Sequence, residues 1–238
     1  MAQARTATRL WLAAAAALWA NPLCAGVLPG FALVGQSERI SVYSRESRPL
    51  DAGKSERYLR RLEGVLGLRL SGRVEYYRCE RAEDVAAATG IYATGVTAPR
   101  DGRIYSVHDY HPHELVHALA GQLGSAGAFF DEGLAVAVSG EAPRRGAELD
   151  RLAGQSLRER PLSRLVAGFE ALEPRAGYAL AGSFVAFLIE AHGVARVVDF
   201  LRECGRAGAD RGAAFQAVFG QSLDEAGAAW RQARWPRG

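Results

Sequence analysis

The chain has 238 residues, 49% of them hydrophobic and 23% charged, with 29 basic and 26 acidic side chains. Those fractions belong to a folded globular protein and exclude disorder throughout, while a net charge of +3 is too balanced to predict nucleic-acid binding. No apolar run is long and clean enough for a multi-span membrane protein, and three cysteines are too few for a disulfide scaffold.

The first thirty residues read as an address. Arg5 and Arg9 form a basic n-region, Leu10 to Ala20 is an apolar run, and small residues follow at Ala20 and Ala25. This is the layout of a cleaved secretory signal peptide, and we take residues 1–25 as the leader. Cleavage after Ala20 is an alternative, as is an uncleaved membrane anchor, because apolar character continues to Val34. Asn21, Pro22, Pro29 and Gly30 interrupt that longer stretch, so no stable membrane insertion is expected after cleavage. Export predicts a periplasmic or secreted chain. Cys79 and Cys204 would then meet an oxidising compartment, which leaves open a disulfide or two free thiols.

Residues 26–238 are expected to form one domain, without internal repeats. Arg39–Ser44 alternates polar and apolar residues as a strand does. Tyr58, Leu59, Leu62, Val65 and Leu66 recur at helical spacing after Ser55, a candidate N-cap. Arg73–Cys79 reads as a second strand and Glu83–Ala88 as a short helix. Ile91–Thr97 and Arg103–Val107 are strand-like around the turn signal Pro99-Arg-Asp-Gly102, so they are expected to pair as a hairpin. Helical patterns then dominate: Pro112–Leu123, Phe130–Val138, Tyr178–Ala191, Val194–Cys204, Arg211–Phe219 and Leu223–Arg234. Short helices are expected around Leu149–Leu152 and Leu162–Val166. Strands first and helices later is the α+β order.

Four of the five histidines fall between His108 and His117. Residues 113–117 read His-Glu-Leu-Val-His. On a helix, positions i and i+4 share a face, so His113 and His117 can present two imidazole nitrogens to one ion. Glu114 sits about 100° further round and can approach a metal-bound water without ligating the metal. That is why this spacing suits zinc hydrolysis. A third ligand is needed, and Asp131-Glu132-Gly133-Leu134-Ala135 opens the next helix after a connection long enough to turn back. A carboxylate in its first turn can meet the two histidines. Asp131 is either an N-cap or a partner that orients a histidine. His108 and His111 are either extra ligands or substrate contacts, or loop residues with His111 near the helix cap.

The H-E-x-x-H motif followed by a glutamate in an E-G-x-A context resembles the gluzincins, the thermolysin-type superfamily of zinc peptidases. The closer resemblance is to small bacterial peptidase MA-like domains. It extends over about residues 105–235 and includes Tyr178–Gly193 and the C-terminal Phe215–Trp230. The resemblance implies a zincin-like α+β fold, with an N-terminal half of strands and the active-site helix, and a helical C-terminal half. It also implies zinc on His113, His117 and Glu132, Glu114 as general base, and Tyr178 as donor to the oxyanion. Many relatives bind substrate along an edge strand, for which Arg103–Val107 is the candidate. The Tyr-to-Gly spacing departs from the pattern, no G-x-M-x-N segment lies upstream, and Val136 stands where thermolysin has an aspartate. The implied activity is zinc-dependent hydrolysis of a peptide or protein substrate. The alternatives are hydrolysis of a non-peptide amide, and an envelope binding or scaffolding domain that holds metal without turnover.

Overall fold

The computed structural model describes residues 27–155 and 159–236; the expected leader over residues 1–25 lies outside them. The chain divides into two compact units that meet in sequence between Gln122 and Leu123. Strands are confined to the first and the second is helical among its described residues, so the mixed α+β composition stands.

The first unit contains β1 (Ala32–Gln36), β2 (Ile40–Ser44), α1 (Ala52–Leu66), β3 (Val74–Arg78), α2 (Ala82–Thr89), β4 (Gly95–Ala98), β5 (Arg103–Ser106) and α3 (Pro112–Ala120). The strands form one sheet in the order β1-β2-β3-β5-β4. β2, β3 and β5 run parallel, while β1 and β4 are antiparallel to their neighbours. The expected hairpin is present, but its outcome reverses the edge assignment. Arg103–Ser106 pairs with β3 on one side and with β4 on the other, so the edge strand is β4. β1 arises from the apolar stretch that reads, in sequence, as a continuation of the leader.

The two sheet faces follow from strand alternation. Tyr43, Tyr77 and Tyr105 are in register on adjacent strands, and their rings stack at 5.2 Å across each pair. Such aromatic pairs contribute about 0.5–1.5 kcal/mol each beyond their burial. On this face Val96 of β4 stands beside Tyr105, and Val85 of α2 and Ile91 pack in the same core. Val42, Tyr76 and Ile104 point the other way and are buried.

α1 begins at Ala52, three residues before Ser55. Its N-cap is Asp51, whose carboxylate accepts from Gly53 N at 2.8 Å, and Ser55 is buried inside the helix. Its buried stripe is Glu56, Leu59, Leu62, Glu63 and Leu66, while Val65 is 43% exposed. The two carboxylates are buried because partners await them. Glu56 accepts from Ser37 Oγ and Arg39 N, both at 3.0 Å. Glu63 accepts from Leu70 N at 2.9 Å and from the Arg39 and Arg69 guanidinium groups.

The second unit contains α4 (Ala128–Ser139), α5 (Gly146–Ala153), α6 (Leu162–Ala167), α7 (Pro174–His192), α8 (Val194–Cys204), α9 (Arg211–Phe219) and α10 (Leu223–Arg234). Its core is aromatic. Phe130 packs on Phe200 at 4.8 Å, Phe215 on Phe219 at 4.5 Å, and Phe184 on Trp230 at 5.8 Å. The buried Trp230 indole N–H finds Ser183 Oγ at 3.2 Å. Helices α4 and α7 approach closely at two glycines. A Cβ on Gly133 would lie 2.7 Å from Ala181 O, and one on Gly182 would lie 2.3 Å from Val136 Cγ1. No helix among the described residues is long and apolar enough to cross a membrane. Cys79 and Cys204 are free thiols.

Candidate metal centre

Helix α3 starts as expected, with Pro112 at its first position and His111 as N-cap. Leu115, Val116, Ala118, Leu119 and Ala120 are buried and fix the rotation of the helix. That rotation leaves His113 and His117 half-buried, one turn apart. Their rings lie 4.8 Å centroid to centroid, and their Nε2 atoms lie 3.0 Å apart. Two nitrogens bound to one tetrahedral zinc at about 2.0–2.1 Å stand about 3.3 Å apart, so the observed spacing is near what an ion needs. Glu132, in the second unit, lies in the second turn of α4 and is half-buried, as each of the two histidines is. Two imidazoles and a carboxylate are the donor chemistry of a catalytic zinc site.

Glu114 is 6% exposed. Its Oε2 accepts from Thr97 Oγ1 at 2.7 Å, and its backbone carbonyl lies 3.0 Å from the same hydroxyl. Thr97 and Gly95 share one face of β4, since strand residues two apart point the same way. A Cβ at Gly95 would lie 2.7 Å from Glu114 Oε1 and 2.3 Å from His111 Cε1. The edge strand thus closes against the first turn of α3 at a residue without a side chain.

The loop before α3 is tied down from three sides. Tyr76 Oη donates to His108 O at 2.6 Å. Asp109 accepts from Arg48 at 2.8 Å and from Arg78 at 2.9 Å. Burial alone would raise the Asp109 pKa, but the two guanidinium groups outweigh it and hold the carboxyl below its usual range. His111 Nδ1 lies 2.9 Å from Ser106 Oγ, and burial pushes the imidazole down to about 4. His111 is the helix cap, the second of the two readings open from sequence.

Asp131 is not the N-cap of α4; Gly127 is. The Asp131 carboxylate accepts from Ala126 N at 3.0 Å and from Ser125 Oγ, which fixes the entry to that helix. Gly133 does permit a close approach, and the chain that approaches is α7. Tyr178, on α7, is 37% exposed, with its ring stacked over Phe169 at 6.2 Å.

Thr97, Gly95 and Ser106 were not among the residues singled out from sequence. Their only sequence signal is the period-2 alternation of the strands they lie in. A scan against protein-family models and a search of curated proteins both find no match to this chain.

Proposed function

We propose that this chain is an exported zinc-dependent hydrolase of peptide bonds, of gluzincin type. The observation that carries the reading is the pair of His113 and His117 Nε2 atoms 3.0 Å apart on one helix, beside a glutamate held at the start of the same helix. His113 Nε2, His117 Nε2 and a Glu132 oxygen would hold the ion. When bound, zinc lowers the pKa of a water to about 7 and polarises the carbonyl under attack.

The chain supplies the remainder. Glu114 takes the proton of the attacking water and passes it to the leaving amine. Thr97 occupies Oε2, which leaves Oε1 for that exchange. The Tyr178 hydroxyl donates to the developing oxyanion. β4 is the terminal strand of the sheet, and an extended peptide pairs along its outer side by strand addition. Residues 1–25 direct the chain out of the cytoplasm.

The test is metal content and turnover of purified residues 26–238. About one zinc per chain in the wild type, lost in His117→Ala, is the expected result. Cleavage of a mixed peptide library, abolished in zinc-loaded Glu114→Ala, is the second. Absence of bound zinc overturns the metal site. Zinc without Glu114-dependent cleavage overturns the enzyme and leaves a metal-holding binding or scaffolding domain.

A further inference from the structure

We propose that Thr97 is a positioning residue that fixes the Glu114 carboxylate for proton transfer, a role that rests on the hydrolase reading above. Glu114 is almost fully buried, and Thr97 Oγ1 lies 2.7 Å from its Oε2. The same hydroxyl lies 3.0 Å from the Glu114 carbonyl oxygen. Threonine has one proton to give, and both neighbours are acceptors. The shorter, charge-assisted contact to the carboxylate takes it. The carbonyl contact sets where the hydroxyl stands relative to the helix backbone. One side chain is thereby referenced to both ends of the glutamate.

The edge strand contributes a second constraint. Gly95, two residues earlier on the same face, leaves the space next to Oε1 that any other residue would fill. Thr97 holds one carboxylate oxygen and Gly95 clears the other, so a single strand determines how the base is presented. Moreover, the β-branched Thr97 is itself stiff at χ1, which makes it a better anchor than a flexible donor. A misplacement of about 1 Å at such a group costs on the order of 10²-fold in rate.

Three variants of residues 26–238 test this: Thr97→Val, which keeps the shape and removes the donor, Thr97→Ser, which restores the donor, and Thr97→Ala. Each is measured for zinc stoichiometry, for kcat and KM on the best peptide from the library, and by crystallography of the Glu114 side chain. We expect Thr97→Val to bind zinc as the wild type does and to keep KM within about threefold. Its kcat should fall about 10–10²-fold, with Thr97→Ser recovering most of the loss. The Glu114 carboxylate should rotate away from its wild-type position in Thr97→Val and return to it in Thr97→Ser. If Thr97→Val does not fold, Thr97→Ala takes its place against Thr97→Ser. An unmoved carboxylate, an unchanged kcat, or equal losses in the serine and valine variants would overturn the assignment. A wild type that cleaves no peptide overturns the hydrolase reading instead, and the crystallographic comparison still decides whether Thr97 places the carboxylate.

Discussion

The Nε2 atoms of His113 and His117 face each other at 3.0 Å across one turn of α3. Two imidazole nitrogens this close on one helix can share a single ion. Zinc is therefore expected to stabilise the folded chain by mass action. The gain is about 2.7 kcal/mol when free zinc exceeds the Kd a hundredfold. Thermal melts with and without added zinc check this. The rise in Tm should vanish in His117→Ala, and an equal rise in that variant would place the ion elsewhere.

Tyr178 provides a separable test of oxyanion stabilisation. Its ring is seated on Phe169, so Tyr178→Phe keeps the stacking and removes only the hydroxyl. With the proposed role, kcat falls about 10²-fold while zinc content stays unchanged. Steady-state kinetics at saturating zinc read the difference, and a wild-type kcat assigns the residue to packing alone.

Acid should weaken the first unit through α1. Burial alone would raise the Glu63 pKa, but Leu70 N–H, Arg39 and Arg69 outweigh it, and the carboxyl is held below its ordinary value. At Glu56 burial likewise raises the pKa, and the bonds from Arg39 N–H, Ser37 and the Arg60 and Arg39 side chains outweigh it and hold the carboxyl below its ordinary value. A carboxyl whose folded pKa lies below its unfolded value contributes stability above about pH 4.3, the unfolded glutamate value. That contribution is lost as pH falls through the folded value. Urea midpoints should thus be flat near neutrality and decline below about pH 4.5. Glu63→Gln should lower the unfolding free energy at neutral pH by about 1–3 kcal/mol and flatten the acid limb. Parallel curves for the two proteins would exclude Glu63 as the cause.

Gly133 stands next to Glu132 at one of the two close approaches of α4 and α7. A Cβ there meets the Ala181 carbonyl, which is backbone and cannot rotate away. Gly133→Ala should cost about 1–3 kcal/mol in chemical denaturation. It should also weaken zinc affinity by moving the helix that carries Glu132. A variant with wild-type stability and wild-type zinc binding would show that α7 yields freely.

What could be read from the sequence was local in origin. α8, α9 and α10 begin and end where the pattern puts them, because their stops and starts are short-range. Asp210 caps α9 through Ala213 N at 2.6 Å, Ser222 and Glu225 form a capping box for α10, and Gly220 ends α9 in the left-handed region. The histidine pair and Glu114 were legible for the same reason, being fixed by helical spacing within five residues. Sheet order was not legible. Whether β5 or β4 takes the edge depends on pairing between segments far apart in sequence, so Glu114's neighbours Thr97 and Gly95 are hidden with it. The buried stripe of α1 departs from the apolar spacing for a related reason. Glu56 and Glu63 displace Val65 from the interior only because Arg39, Arg69 and backbone N–H groups converge on them.

The stacked phenols of the sheet and the indole packed in the helical core make the chain its own pair of reporters. Seven of its eight tyrosines precede residue 123, whereas Trp230 and Trp235 are the only tryptophans in residues 26–238. Indole emission therefore follows the second unit, and the coupled near-ultraviolet dichroism of Tyr43, Tyr77 and Tyr105 follows the first. Curves that coincide would mark one cooperative transition, and curves that separate would give each unit its own free energy without a label or a truncation.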